Sequence, residues 1–102
     1  MPPKKVKYED LLRVPPQDLE AEESVLGALM LDPLSIIKIA DIITPSDFYK
    51  PPHQKIFEAA LELYEKRGPI DILTLSSRLK EKNILEEIGG HSYLADLVNR
   101  VP

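Results

Sequence analysis

Apolar residues in this chain recur at helical spacing in several separate stretches, and no stretch alternates apolar and polar cleanly enough to compete as a strand. The first stripe is Leu19, Leu26, Leu29 and Met30. With Asp18 as its cap and Glu20, Glu22 and Glu23 in the first turn, where the helix dipole favours acids, it predicts a helix over residues 17–31, just after Pro15 and Pro16. Gly27 and Ala28 are small enough to let a neighbouring helix approach, so Gly27 reads as a packing position. Asp32 followed by Pro33 is a second start signal, and Ile36, Ile37, Ile39, Ala40 and Ile43 continue as an apolar face that must end before Pro45. Residues 44–49 read as a tight connector with one short turn, leaving Phe48 and Tyr49 available to pack inward.

The clearest helix begins at Pro52. Ile56, Phe57, Ala60, Leu61 and Tyr64 share one face, while Lys55, Glu58, Glu62, Glu65 and Lys66 line the other. Glu62 and Lys66 form an i,i+4 pair in the favoured order, and Gly68 with Pro69 is the expected punctuation after a helix stopping near Arg67. Asp71 or Thr74 can cap the next helix, in which Ile72, Leu75 and Leu79 point inward, Arg78, Lys80, Glu81 and Lys82 stay in water, and Asn83 is the left-handed terminator. Residues 85–88 make at most one turn, broken by Gly89 and Gly90, before Tyr93, Leu94, Leu97 and Val98 give the stripe of a last helix ending near Arg100. The expected fold is all-α, an orthogonal bundle of about five main helices plus short helical turns.

Composition narrows the function. At 102 residues the chain allows one domain, and its 43% apolar content is enough for a core without staples. There is no Cys, which excludes a disulfide framework, a thiolate zinc site and a cysteine nucleophile, and makes a reducing, cytoplasmic setting the default. The net charge of -4 argues against sequence-independent nucleic-acid binding, which rests on Lys and Arg neutralising phosphates. Lys4, Lys5 and Lys7 lie in a flexible leader over residues 1–13 that no signal-length apolar run follows, and the apolar stretches are too short for a membrane span.

The sequence offers little catalytic chemistry. The glycines at 27, 68, 89 and 90 do not make a phosphate-binding loop of the G-x-x-x-x-G-K-[ST] kind. His53 and His91 lack a local metal-binding spacing, so both read as surface or capping residues. Glu86 and Glu87 are adjacent rather than facing, a poor general acid and base pair. No catalytic, cofactor or metal site is expected, and the residues alone describe a helical interaction module.

One ordered set of fragments says more: Pro15-Pro16-Gln17-Asp18-Leu19-Glu20-Ala21-Glu22, Ser24-Val25-Leu26-Gly27 and Leu31-Asp32-Pro33, followed by Asp47-Phe48-Tyr49, His53-Gln54-Lys55-Ile56-Phe57, Pro69-Ile70-Asp71 with Leu73-Thr74-Leu75, and residues 85–90 with Tyr93-Leu94. In this order and spacing over residues 14–102, the chain resembles the N-terminal domain of the bacterial replicative DNA helicase, the DnaB family. The resemblance implies a parent that is a ring-shaped, ATP-driven hexamer unwinding duplex DNA at the replication fork. Its ATP and Mg would be bound by a RecA-like motor domain outside these residues, leaving this part without a cofactor. It further implies a collar built as a trimer of dimers, supporting hexamer assembly and docking the C-terminal domain of primase, with a helicase loader as a further partner. A helical hairpin that pairs subunits would begin where this chain ends, so the fragment is expected as a monomer or weak dimer, with no strong direct DNA binding and no membrane contact. Carried over by motif, Glu20 and Tyr93 match positions of the primase-facing surface. The competing roles are a dipole-favouring acid for Glu20 and a core aromatic with its hydroxyl at the rim for Tyr93.

Two other classes compete. A small helix-turn-helix DNA-binding domain would also be built of short helices and tight turns, but the acidic balance speaks against it. A self-contained enzyme has the least support, since no pair of groups is spaced for acid, base or nucleophile work.

Overall fold

Pro51 and Pro52 open the longest strongly amphipathic helix, supplying the fixed φ of a first turn where a missing N–H costs nothing. In the computed structural model, which describes residues 16–101, this helix is α3 (Pro51–Glu65). It follows α1 (Pro16–Leu31), α2 (Ser35–Ile39) and a 3-10 turn (Pro45–Asp47), and precedes α4 (Ile72–Glu81) and α5 (Gly90–Asn99). No strand occurs among the described residues, so the all-α expectation holds. The leader expected over residues 1–13, and the boundary at residue 14, lie outside the described residues.

The helices close on one core. Leu26 and Leu29 of α1, Ile56 and Phe57 of α3, Leu75 and Leu79 of α4, and Leu94 and Leu97 of α5 are all essentially without exposed surface. Helix α3 packs against α1, α2, the 3-10 turn and α4, while α5 closes over α1 and α4. The tightest approach is between α1 and α5. A Cβ built on Gly27 would stand 2.1 Å from the Leu97 carbonyl oxygen and 2.7 Å from Val101 Cγ2, so only a residue without a side chain fits between the two backbones.

Local chemistry sets most boundaries. Asp71 caps α4: its Oδ1 accepts from the Thr74 N–H at 2.8 Å, while Thr74 Oγ1 accepts from the Asp71 N–H at 2.9 Å, a reciprocal box. Asn83 takes the left-handed conformation (φ 62°) after α4, and the Ile84 N–H donates back to the Leu79 carbonyl at 3.0 Å. The same closure ends α3, but its left-handed residue is Arg67 (φ 60°) and not Gly68, whose N–H instead donates to the Leu63 carbonyl at 2.9 Å. Residues 85–89 form the expected single turn.

Five expectations are corrected. The apolar run after Pro33 gives only the short α2, with Ile36 buried, Ile37 56% exposed and a further turn over residues 40–42 leaving Ile42 74% exposed. A strictly helical face over this stretch would have to bury isoleucines on adjacent sides. Helix α1 begins at Pro16, so Asp18 lies inside the first turn and Glu20, Glu22 and Glu23 fall beyond it. Tyr49 does not pack inward: its side chain is 51% exposed, while Phe48 beside it is buried. Arg78 and Lys82 do not simply stay in water, and Glu62 does not pair with Lys66. Arg78 Nε and Lys82 Nζ both donate to Glu62 of α3 at 2.9 Å, and Lys82 also reaches Glu58 at 3.4 Å, clamping α4 to α3.

Desolvation works to raise the Glu62 carboxyl, but hydrogen bonds from Lys82 and Arg78, with their charges, overcome it and leave the group below its ordinary value of 4.5. A carboxyl depressed in the folded state contributes stability above its unfolded value and loses it as pH falls through the folded one. Urea unfolding followed on acidification should therefore show a midpoint that declines below about pH 4.5, and Glu62→Gln should reduce that decline. Gly27→Ala should destabilise the domain by about 3 kcal/mol or more, because the clash is with backbone that cannot swing aside. Its urea midpoint at neutral pH measures this.

Candidate functional site

Three side chains from three helices meet beneath the α1 and α5 contact. His53 opens the buried face of α3, at i, i+3, i+4 and i+7 spacing with Ile56, Phe57 and Ala60, and has no exposed surface. Glu22 occupies the equivalent inward row of α1, four residues before Leu26 and seven before Leu29, and is almost fully buried. His53 Nδ1 lies 2.7 Å from Glu22 Oε1, and His53 Nε2 lies 2.7 Å from the Tyr93 hydroxyl of α5. The second carboxylate oxygen, Oε2, accepts the backbone N–H of Tyr49 at 2.7 Å. The His53 and Tyr93 rings lie nearly parallel, 10° apart, and Phe48 meets His53 edge-on at 6.5 Å.

Each member depends on another for its pairing. A carboxylate and an imidazole are tolerated in an apolar core only when their polar atoms are paired, and among the described residues no buried side-chain nitrogen or oxygen lacks a partner. The chain therefore joins α1, α3, α5 and the connector before α3 at one point. Gly89 contributes from the side. In its left-handed conformation (φ 114°) it precedes α5, and a Cβ there would sit 2.7 Å from Tyr93 Cβ, so the glycine leaves Tyr93 room to turn inward.

The outward side of the chain is Tyr93 itself, partly buried against the core. Burial, then the negative charges of Glu23, Glu22 and Asp96, push its hydroxyl above the ordinary phenol value against the opposing pull of Arg100. Lys50 Nζ stands 5.7 Å from the Tyr93 ring centroid, a cation over the ring face. Glu23, mostly buried, pairs with the exposed Arg100 at the C-cap of α5 at 3.1 Å. Beside the chain, Ala21, Glu22, Val25, Ile43, Asp47 and Phe48 line an open, largely apolar depression.

The two residues expected at a partner surface thus take different places. Glu20 is exposed on α1, one turn before Glu23. Tyr93 has its ring against the core and its hydroxyl bonded to the buried His53, as the core-aromatic reading expects. The structure does not join them by a hydrogen bond, although α1 and α5 pack directly together. The surface reading of His53 is overturned, since it is the most enclosed polar residue described. His91 is exposed, with Nδ1 3.0 Å from the Ser76 hydroxyl. Glu22 and His53 were legible as members of apolar rows by spacing alone, but their charge and polarity masked the signal. Among the described residues no cluster of His, Cys, Asp and Glu could hold a metal ion.

Replacing Glu22 by Ala would strip partners from both His53 Nδ1 and the Tyr49 N–H. Two lost charge-assisted bonds, with the His53 nitrogen left buried, should cost about 3 kcal/mol in a urea unfolding measurement. Tyr93→Phe, which frees only Nε2, should cost about 1 kcal/mol.

Comparison with known proteins agrees with this architecture. The family model described as DnaB-like helicase N terminal domain matches residues 14–102. The chain is 47% identical over 90 residues to the replicative DNA helicase DnaB of Geobacillus stearothermophilus, covering 88% of this chain and 20% of that protein. It is 46% identical over 95 residues to the replicative DNA helicase DnaC of Bacillus subtilis (strain 168), covering 91% and 21%. The chain thus spans about a fifth of the length of these relatives. Among solved structures, the N-terminal domain of DnaB helicase from Mycobacterium tuberculosis superposes with a TM-score of 0.82 at 42% identity, over 86% of this chain and 64% of that one. With a family model matched along nearly its whole length and relatives well above the identity at which a fold is shared, this chain belongs to the DnaB-like helicase N-terminal domain family.

Proposed function

We propose that this domain is the non-catalytic N-terminal part of a hexameric replicative DNA helicase, supporting assembly of the ring's collar and docking the C-terminal domain of primase. The observation that carries the reading is the family match over residues 14–102, together with close relatives that are named replicative DNA helicases. On this reading, unwinding at the fork, ATP hydrolysis and the Mg that serves it belong to a motor outside these residues. The parent works in the cytoplasm, and a helicase loader is a further partner of the same assembly. No helix among the described residues is long and apolar enough to cross a membrane.

Two surface features support an assembly and docking role. Leu31, Leu34, Ile37 and Ile42 are each more than half exposed within one short stretch, the apolar dress of a face covered by a partner. Glu20 stands exposed on α1 beside the helix that carries Tyr93. A duplex-binding role draws less support, because Lys55, Arg78, Lys82 and Arg100 are already paired with carboxylates of this chain.

The test is an amide-shift titration of the isotope-labelled domain with the C-terminal domain of its cognate primase. Shifts clustered around Glu20 and Tyr93 are expected. Glu20→Lys, at an exposed position that leaves the fold intact, should weaken the affinity about fivefold, the equivalent of roughly 1 kcal/mol. Unchanged spectra at high primase concentration would remove docking from the role and leave assembly alone.

A further inference from the structure

The hydrogen-bond chain behind Tyr93 has a direction, and that direction is set at its buried end. Glu22 receives two donors at once, the Tyr49 N–H on Oε2 and His53 Nδ1 on Oε1, each at 2.7 Å. A carboxylate offers only acceptors, so the proton between Glu22 and His53 sits on Nδ1. In a neutral imidazole the other nitrogen is then a bare lone pair, and Nε2, 2.7 Å from the Tyr93 oxygen, accepts. The phenol proton points inward. What remains on the Tyr93 oxygen for anything outside is lone pair. Lys50 stands over the Tyr93 ring, 5.7 Å from its centroid, and the His53 ring lies parallel to it.

We propose that Glu22 and His53 are positioning residues that hold Tyr93 as a hydrogen-bond acceptor at the edge of the core, so that a protein partner meeting this face must bring an N–H donor, and specifically an Arg or Lys side chain. The cationic choice follows from the neighbours. Glu23 and Asp96 place negative charge around the hydroxyl, and Glu20 lies exposed one turn before Glu23. Arg100 is the opposing charge, and it is held by Glu23 at 3.1 Å. The side chains hydrogen-bonded to His53 or ring-packed on it are Glu22 of α1, Phe48 after the 3-10 turn and Tyr93 of α5, of which Glu22 alone is a carboxylate. This inference rests on the reading of Tyr93 as part of the docking face.

A conservative substitution reverses the chain. In Glu22→Gln the side-chain carbonyl must still accept the Tyr49 N–H, so the amide NH2 faces His53 and donates to Nδ1. The ring proton then moves to Nε2, the Tyr93 oxygen accepts from it, and the phenol proton turns outward. One lone pair of the Tyr93 oxygen is then spent on Nε2 and a proton stands where a lone pair faced the partner, with almost no change of shape.

The experiment has two arms on the same labelled domain. Two-bond nitrogen-proton correlation spectra at neutral pH should show His53 protonated at Nδ1 and bare at Nε2 in the wild type, and the opposite tautomer in Glu22→Gln. The wild-type spectrum needs no variant to fold, and a proton on Nε2 there overturns the proposal. In the second arm, the C-terminal domain of primase is titrated into the wild type, Glu22→Gln, Tyr93→Phe and the double variant, each with a dispersed amide spectrum. Both single variants should bind about three- to tenfold more weakly, the range of one net hydrogen bond, and the double variant no more weakly than either. Equal affinities, or losses that multiply in the double variant, overturn the proposal, since a purely structural role for Glu22 would act independently of the Tyr93 oxygen. A wild type that does not bind primase overturns the docking reading and the partner requirement with it. That case is told apart because the tautomers in the first arm are unaffected.

Discussion

A histidine with no exposed surface must find partners inside the protein for both ring nitrogens, and the rest of this fold is arranged so that His53 does. Its two partners come from opposite ends of the chain, Glu22 on α1 and Tyr93 on α5, while His53 itself rides on α3. The requirement fixes more than two bonds. It sets the rotation of α1 about its axis, because Glu22 must face inward in the row that continues through Leu26 and Leu29. It sets the rotation of α5, because Tyr93 can reach Nε2 only while Leu94 and Leu97 stay buried. It also tethers the connector before α3, through the Tyr49 N–H on the second carboxylate oxygen. An apolar core of the same volume would tolerate small helix rotations, whereas a buried polar chain with every member satisfied does not.

The close contact of α1 with α5 serves the same geometry. Gly27 brings the two backbones together at Leu97, and the helices are then near enough for Glu22 and Tyr93 to share one imidazole. Around this buried centre, the charged residues act at the edges. Glu62 draws Arg78 and Lys82 across from α4, Lys55 meets Glu87, and Glu23 meets Arg100. Each such pair at the surface contributes little alone, but Glu62 with two cations is a small network, and its depressed carboxyl shows that the pairing outweighs partial burial. Lys55, Arg78, Lys82 and Arg100 are thereby held by carboxylates of this chain. What the domain leaves open instead is apolar, at the end of α1 and along α2, and acidic, at Glu20.

Much of the fold was legible in the sequence because its signals are local. Pro33, the paired prolines before α3, the Asp71 and Thr74 box and the left-handed Asn83 act within a few residues of themselves, and the apolar stripes of α3, α4 and α5 follow helical spacing closely. Gly27 is recognisable as a packing residue because it and Ala28 are small residues beside an apolar stripe. The run after Pro33 is not legible locally because isoleucines at 36, 37, 39, 42 and 43 satisfy helical spacing on any side, and only the packing of α3 chooses which of them to bury. The end of α3 was placed correctly but its left-handed residue was not. The short step to Gly68 and Pro69 is made by Arg67, whose long side chain is free in solvent.

The candidate site divides along the same line. The sequence by itself determined an all-α domain, its helix order, its acidic surface and its family, and it marked Glu20 and Tyr93 through motifs that are contiguous in the chain. Only the tertiary structure decided that Glu22 and His53 are interior residues joined to Tyr93, since their partners lie 31 and 40 residues away. A polar side chain on an apolar row reads as a solvated exception until the partner that satisfies it is known. Propensity, capping and periodicity are properties of neighbouring residues, whereas the pairing of a buried charge is a property of the space that distant helices enclose.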